Sequence, residues 1–135
     1  MFVIDTSVTM AWCFDDEATD ATDAVLDRLR DEHASAPAIW PLEVANVLLV
    51  AERQARITEA EASRFLELLG QLPIEIDSAP TRMIEVVGAG RRHAISAYDA
   101  SYLVLAERLG ASLATLDRRL AEAASKAGVN LLIGA

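Results

Sequence analysis

The stretch Met1-Phe2-Val3-Ile4-Asp5-Thr6-Ser7 decides how the rest of the chain is read. Three consecutive apolar residues at 2–4 read as a buried strand, too short and too uniform for a helix. The strand runs straight into Asp5, and residues 7–14 (SVTMAWCF) follow as a short helix. Three later acidic residues, Glu43, Asp99 and Asp117, stand in similar places, each near the expected start of a helix. Carboxylates are common there because they meet free N–H groups and the positive end of the helix dipole. The question is whether the four only cap helices or also meet in space.

Outward from that strand, residues 15–32 alternate acidic side chains with Ala18, Ala21, Val25, Leu26 and Leu29, the pattern of an amphipathic helix with a solvated acidic face. The acids lack the glycine and final glutamate of a Ca²⁺ loop. Residues 36–40 (APAIW) read as a second strand. Pro41 then suits the first turn of a helix over 42–54, whose near-continuous apolar face predicts deep burial. Thr58 and Glu61 form a capping box for a helix to about Leu69. Residues 73–76 (PIEI) read as a third strand, followed by a helix capped by Asp77 or Ser78 and running to His93, with Gly88 and Gly90 able to bend it. Ser96 and Asp99 open a helix over 98–109 that Gly110 closes. Residues 112–115 (SLAT) make the fourth strand, Asp117 opens a helix to Ala127, and 129–133 (VNLLI) make the last strand. Strands alternating with helices indicate one α/β domain over 1–135 with a mostly parallel sheet of about five strands.

The bulk composition agrees. The chain has 135 residues, is 53% hydrophobic and 24% charged, and fits a globular protein rather than a disordered one. No apolar run approaches the length of a membrane helix, and nothing at the start reads as a signal peptide, so a cytoplasmic protein is expected. The single Cys13 forms no internal disulfide and sits in an apolar run as a small hydrophobe. A net charge of −9 argues against broad nonspecific binding to nucleic acid. Any nucleic-acid chemistry needs a local basic patch or a metal.

A metal also answers the question posed by the acids. In an open parallel sheet the carboxyl ends of the strands line one edge, and ligands bind in the crevice there. Asp5 follows the first strand and Asp117 the fourth, while Glu43 and Asp99 lie in the first turns of helices that can face the same crevice. Two carboxylates ~4 Å apart repel by about 4 kcal/mol at an effective dielectric near 20. Convergence therefore calls for a cation. An all-oxygen set selects Mg²⁺ or Mn²⁺. It does not suit zinc, since Cys13, His33 and His93 lack the spacing of a Cys/His site. Both histidines are expected at the surface.

Four motifs, Phe2-Val3-Ile4-Asp5-Thr6-Ser7, Pro41-Leu42-Glu43-Val44-Ala45-Asn46, Tyr98-Asp99-Ala100 and Leu113-Ala114-Thr115-Leu116-Asp117-Arg118-Arg119-Leu120, together resemble a PIN domain. More narrowly, the chain resembles the VapC toxins of bacterial toxin–antitoxin systems, in order and over essentially its whole length. The resemblance implies a three-layer α/β sandwich and a Mg²⁺- or Mn²⁺-dependent ribonuclease. It maps the acidic residues onto Asp5, Glu43, Asp99 and Asp117, and the supporting hydroxyls onto Thr6 or Ser7 and Thr115. It also implies a VapB-like antitoxin that obstructs the site, and a homodimer that forms a heterotetramer or larger assembly with it. Asn46, one turn after Glu43, shares its helix face and suits a supporting role. Arg91, Arg92, Arg118 and Arg119 are candidate rims for RNA. Trp12 and Trp40 suit a core or a partner interface.

Two rival readings remain beside this one. A PIN-like binding or regulatory module without nuclease activity would keep the fold and lose the chemistry. A phosphotransfer domain with Asp5 as nucleophile lacks its usual companions: Ser7 stands where a second aspartate is needed, and the lone Lys126 falls in the wrong place.

Overall fold

Short strands organise the molecule, the two inner ones buried along their whole length. In the computed structural model, which describes residues 1–133, they are β1 (Phe2–Ile4), β2 (Ala34–Ala36), β3 (Ile74–Ile76) and β4 (Ser112–Ala114). They form one parallel sheet in the order β3-β2-β1-β4. Seven helices fill the connections among the described residues: α1 (Thr6–Ala11), α2 (Asp20–Arg28), α3 (Trp40–Arg53), α4 (Glu59–Leu69), α5 (Met83–His93), α6 (Ala97–Leu109) and α7 (Arg118–Lys126). Phe2, Val3 and Ile4 are wholly buried, as a central strand with helices on both faces requires. The α/β sandwich with a central parallel sheet is the architecture expected from the alternation of elements.

The strand order places the site. The chain adds β2 and then β3 on one side of β1, and later places β4 on the other. The order reverses between β1 and β4, and such a switch point opens a crevice at the carboxyl ends of the strands. Ile4 and Ala114 are in register across that pair. The next residues, Asp5 and Thr115, therefore stand side by side at the mouth. The Asp5 N–H extends the ladder by donating to the Ala114 carbonyl at 3.2 Å.

Local signals explain most boundaries. Thr58 and Glu61 bond reciprocally at the start of α4. Ser96 accepts the Asp99 N–H at the start of α6, and Gly110, with φ +61°, ends that helix in a left-handed turn. Elsewhere tertiary context overrides the pattern. The second strand stops at Ala36 rather than beginning there. Pro37 has no N–H to continue a ladder, and a turn from its carbonyl to the Trp40 N–H leads into α3. Of the acidic stretch only Asp20–Arg28 is helical. Ahead of it, Arg56 binds Asp16 and Glu17 and lies over the Phe14 ring.

Residues 77–82 are not helical, and neither Asp77 nor Ser78 caps α5. Asp77 pairs instead with Arg108. Gly88 and Gly90 lie inside α5, which ends at Ala94. The fifth strand shrinks to one bridge, Leu113 to Leu131, leaving four strands. His93 is partly enclosed, and its Nε2 has no hydrogen-bond partner among the described residues. Trp40 joins the core.

The largest correction concerns α3. Its buried residues are Trp40, Val44, Leu48 and Ala51, one stripe at helical spacing. Leu42 is 68% exposed, and Ala45 and Leu49 also face outward. Only one side of this helix meets the core. Leu48, at 3% exposure, makes the test. Leu48→Ala is expected to cost about 3 kcal/mol in denaturant unfolding, whereas Leu42→Ala stays within about 0.5 kcal/mol. Equal losses would show that α3 is buried all round.

Candidate active site

Asp5 is only 5% exposed, and the surrounding sequence supplies its partners. As the N-cap of α1, its Oδ1 accepts from the Val8 N–H at 3.2 Å and from Ser7 Oγ at 2.6 Å. Its Oδ2 accepts from Thr115 Oγ1 at 2.5 Å. Both hydroxyls also accept from the loop after β4. Ser7 Oγ takes the Leu116 N–H and Thr115 Oγ1 takes the Asp117 N–H, each at 2.9 Å. The ends of β1 and β4 are thus tied together through one carboxylate. A second chain of bonds runs from the Trp40 indole N–H to Thr9 Oγ1, and from Thr9 to the Asp5 carbonyl. It anchors the start of α3, three residues before Glu43.

Glu43 points into a small polar knot. Its Oε1 accepts from Tyr102 OH at 2.5 Å and Thr6 Oγ1 at 3.1 Å. Asp99 sits in the first turn of α6, partly buried. Asp117 is the N-cap of α7, with its Oδ1 accepting from the Leu120 N–H. The four therefore do cap or open helices, and capping does not exhaust them.

Their electrostatics show that they are neighbours. Burial pushes the Asp5 carboxyl up to about 6, although its hydrogen bonds to Ser7, Thr115 and Val8 pull the other way, and Asp117 adds a smaller push. Burial also raises Asp99, with further repulsion from Asp117 and Glu43. Desolvation lifts the Tyr102 hydroxyl well above its ordinary range, and its bond to Glu43 adds to that. Among the described residues, none of the four acids has a basic partner in an ion pair. Nor do any three Asp, Glu, His or Cys side chains there stand close enough to form a ready-made metal cage. The acids share a field without yet touching a common point. Charge repulsion reaches farther than coordination, so both observations hold. The donor set is all oxygen and unneutralised, which fits a hard divalent cation.

The other candidates divide. Thr6, Ser7 and Thr115 all bond to an acid. Asn46 is exposed, one turn from Glu43. Arg91, Arg92 and Arg119 are exposed, and Arg118 reaches Glu122. Tyr102 was not anticipated. It lies one turn after Asp99 on the same helix, and it is 2% exposed. Its position within the apolar run Tyr102-Leu103-Val104-Leu105 was the available signal, because a buried tyrosine hydroxyl needs a polar partner.

The Asp5 shift has a consequence for stability. An unfolded aspartate titrates near about 3.9, whereas the folded one titrates near about 6. Between these values the folded state holds a proton that the unfolded state has lost. Stability is therefore full below the lower value and falls as pH rises through the upper one, by about 3 kcal/mol in all. Denaturant unfolding of metal-free protein at pH 4 and 7 should show this loss in the wild type relative to Asp5→Asn. Parallel pH profiles for the two would contradict it.

The chain matches the family model for the PIN domain over residues 2–126. It is 31% identical over 122 residues to Ribonuclease VapC3 of Pyrobaculum aerophilum, covering 89% of this chain and 92% of that relative. Against Ribonuclease VapC3 of Mycobacterium tuberculosis it is 35% identical over 106 residues, covering 78% and 75%. The crystal structure of PAE2754 from Pyrobaculum aerophilum is similar with a TM-score of 0.71 at 25% identity, covering 90% of this chain and 83% of that one. That of FitAcB from Neisseria gonorrhoeae has a TM-score of 0.65 at 22% identity, covering 99% and 98%, a likeness of fold alone. The chain accordingly belongs to the PIN-domain family, in the VapC group of ribonuclease toxins from toxin–antitoxin modules.

Proposed function

We propose that this protein is a metal-dependent endoribonuclease that hydrolyses RNA phosphodiester bonds, the toxin of a toxin–antitoxin pair. The observation that carries this reading is a set of four carboxylates without a basic partner among the described residues, in which Asp117 repels Asp5 and Asp99 and Glu43 repels Asp99. Uncompensated negative charge at a switch-point crevice is costly unless a cation is bound there. The relatives named Ribonuclease VapC3 support RNA as the substrate.

Asp5 and Asp99 would hold Mg²⁺ or Mn²⁺ directly, with Glu43 and Asp117 completing the site. When bound, such an ion supplies Lewis-acid stabilisation of the phosphate and a more acidic water. The chain's own contribution is orientation. Ser7, Thr115 and the Val8 N–H fix the Asp5 carboxylate, and Tyr102 and Thr6 fix Glu43. Arg91, Arg92, Arg118 and Arg119 would meet the flanking phosphates, whose contacts position RNA without reading its sequence.

A VapB-like antitoxin and a second copy of the chain are the proposed protein partners. The exposed Leu42, Leu49, Leu66 and Leu68 on α3 and α4 offer apolar surface for such contacts. Among the described residues no helix is long and apolar enough to cross a membrane. An RNA substrate goes with work in the cytoplasm. One observation favours a second reading, a PIN-like binding module without cleavage: the acids do not form a ready-made cage.

Purified chain, free of antitoxin, decides between the two. RNA cleavage should require Mg²⁺ or Mn²⁺ and stop with EDTA. Asp5→Asn and Asp99→Asn, shown to fold by circular dichroism, should each lose at least about a hundredfold in rate, the scale of removing a preorganised electrostatic group. Metal-bound wild type that binds RNA without cutting it would establish the binding module.

A further inference from the structure

The hydroxyls around the two best-anchored carboxylates do more than hold them still. A carboxylate has about four lone-pair sites, two on each oxygen. At Glu43, Oε1 faces Tyr102 OH at 2.5 Å and Thr6 Oγ1 at 3.1 Å, and those two hydroxyl oxygens lie 3.0 Å apart. However the two protons are shared, Oε1 is enclosed by protein oxygens. Both hydroxyls face this one atom, and Oε2 accepts no hydrogen bond among the described residues. Asp5 repeats the arrangement. Its Oδ1 is filled by Ser7 and Val8, and Oδ2 keeps one site beside Thr115. Neither carboxylate can grip a cation with both oxygens unless buried or part-buried hydrogen bonds break or rearrange.

That restriction discriminates between ions. Ca²⁺ takes roughly 6–8 oxygens and readily uses both oxygens of one carboxylate, whereas Mg²⁺ demands a near-ideal octahedron and keeps several waters. We propose that Tyr102, assisted by Thr6, is a specificity-determining residue: by occupying Glu43 Oε1 it makes Glu43 a one-oxygen ligand and biases the site toward small octahedral cations over Ca²⁺. This rests on the metal-dependent reading of the site. Tyr102 acts through Glu43 and is a positioning residue, not a catalytic one. A tyrosine placed here only for packing would lower affinity for every ion alike, or for none.

Calorimetric titration separates these cases without measuring cleavage. The full chain, stripped of divalent ions with EDTA and dialysed, is titrated with MnCl₂ and, separately, with CaCl₂. The wild type is expected to bind Mn²⁺ more tightly than Ca²⁺, and Asp5→Asn to lose both. Tyr102→Phe should shift the Ca²⁺-to-Mn²⁺ affinity ratio toward Ca²⁺ by about tenfold, the factor one hydrogen bond of ordinary strength carries. Thr6→Val should shift it in the same direction by less, and decides the matter if Tyr102→Phe does not fold. Mn²⁺ binding by the wild type with an unchanged ratio in the folded variants would overturn this inference alone. A wild type that binds no Mn²⁺ would overturn the metal-dependent reading and this inference with it.

Discussion

Everything at the mouth of the sheet depends on keeping one carboxylate buried. Asp5 ends the central strand, and water is almost excluded from it. A buried charge is tolerable only when hydrogen bonds or a counter-charge replace its hydration. Three donors do so here, and two of them, Ser7 and Thr115, also accept backbone N–H groups from the segment after β4. The aspartate thus acts as a knot between strands far apart in sequence. Its carboxyl titrates near about 6 even so, because burial outweighs the donors.

The remaining acids extend the same tension outward. Asp117 repels both Asp5 and Asp99, and Glu43 adds to the load on Asp99. Elsewhere some acids are paired, Asp16 and Glu17 with Arg56, and Asp77 with Arg108. None of the four crevice acids has such a partner among the described residues. On the proposed reading, these unneutralised acids are where a ligand of opposite charge would bind. The overall charge of −9 is then no obstacle to an acidic substrate, provided that a cation sits between them.

Much of this was legible in the chain. The run Phe2-Val3-Ile4-Asp5 announced a buried strand ending in an acid, and the Thr58/Glu61 and Ser96/Asp99 spacings announced helix starts, because caps are decided by a few adjacent residues. The misreadings share a cause. Leu42 and Leu49 look like core in sequence, but whether an apolar helix face is covered depends on which neighbour lies over it. Residues 129–133 look like a strand, yet only Leu131 finds a bridge partner. Asp77 looks like a cap, but Arg108, from the other end of the α5–α6 pair, claims it.

The sequence by itself determined the alternation of strands and helices, the caps at Thr58 and Ser96, and the standing of Asp5, Glu43, Asp99 and Asp117 near helix starts, since these follow from local periodicity and residue chemistry. Only the tertiary structure decided which hydroxyl bonds to which acid. Thr115 meets Asp5 from across the β1–β4 pair, and Tyr102 meets Glu43 across a separation of 59 residues. No local pattern encodes such pairs. They exist because the strand order reverses beside β1 and brings the ends of distant segments to one crevice.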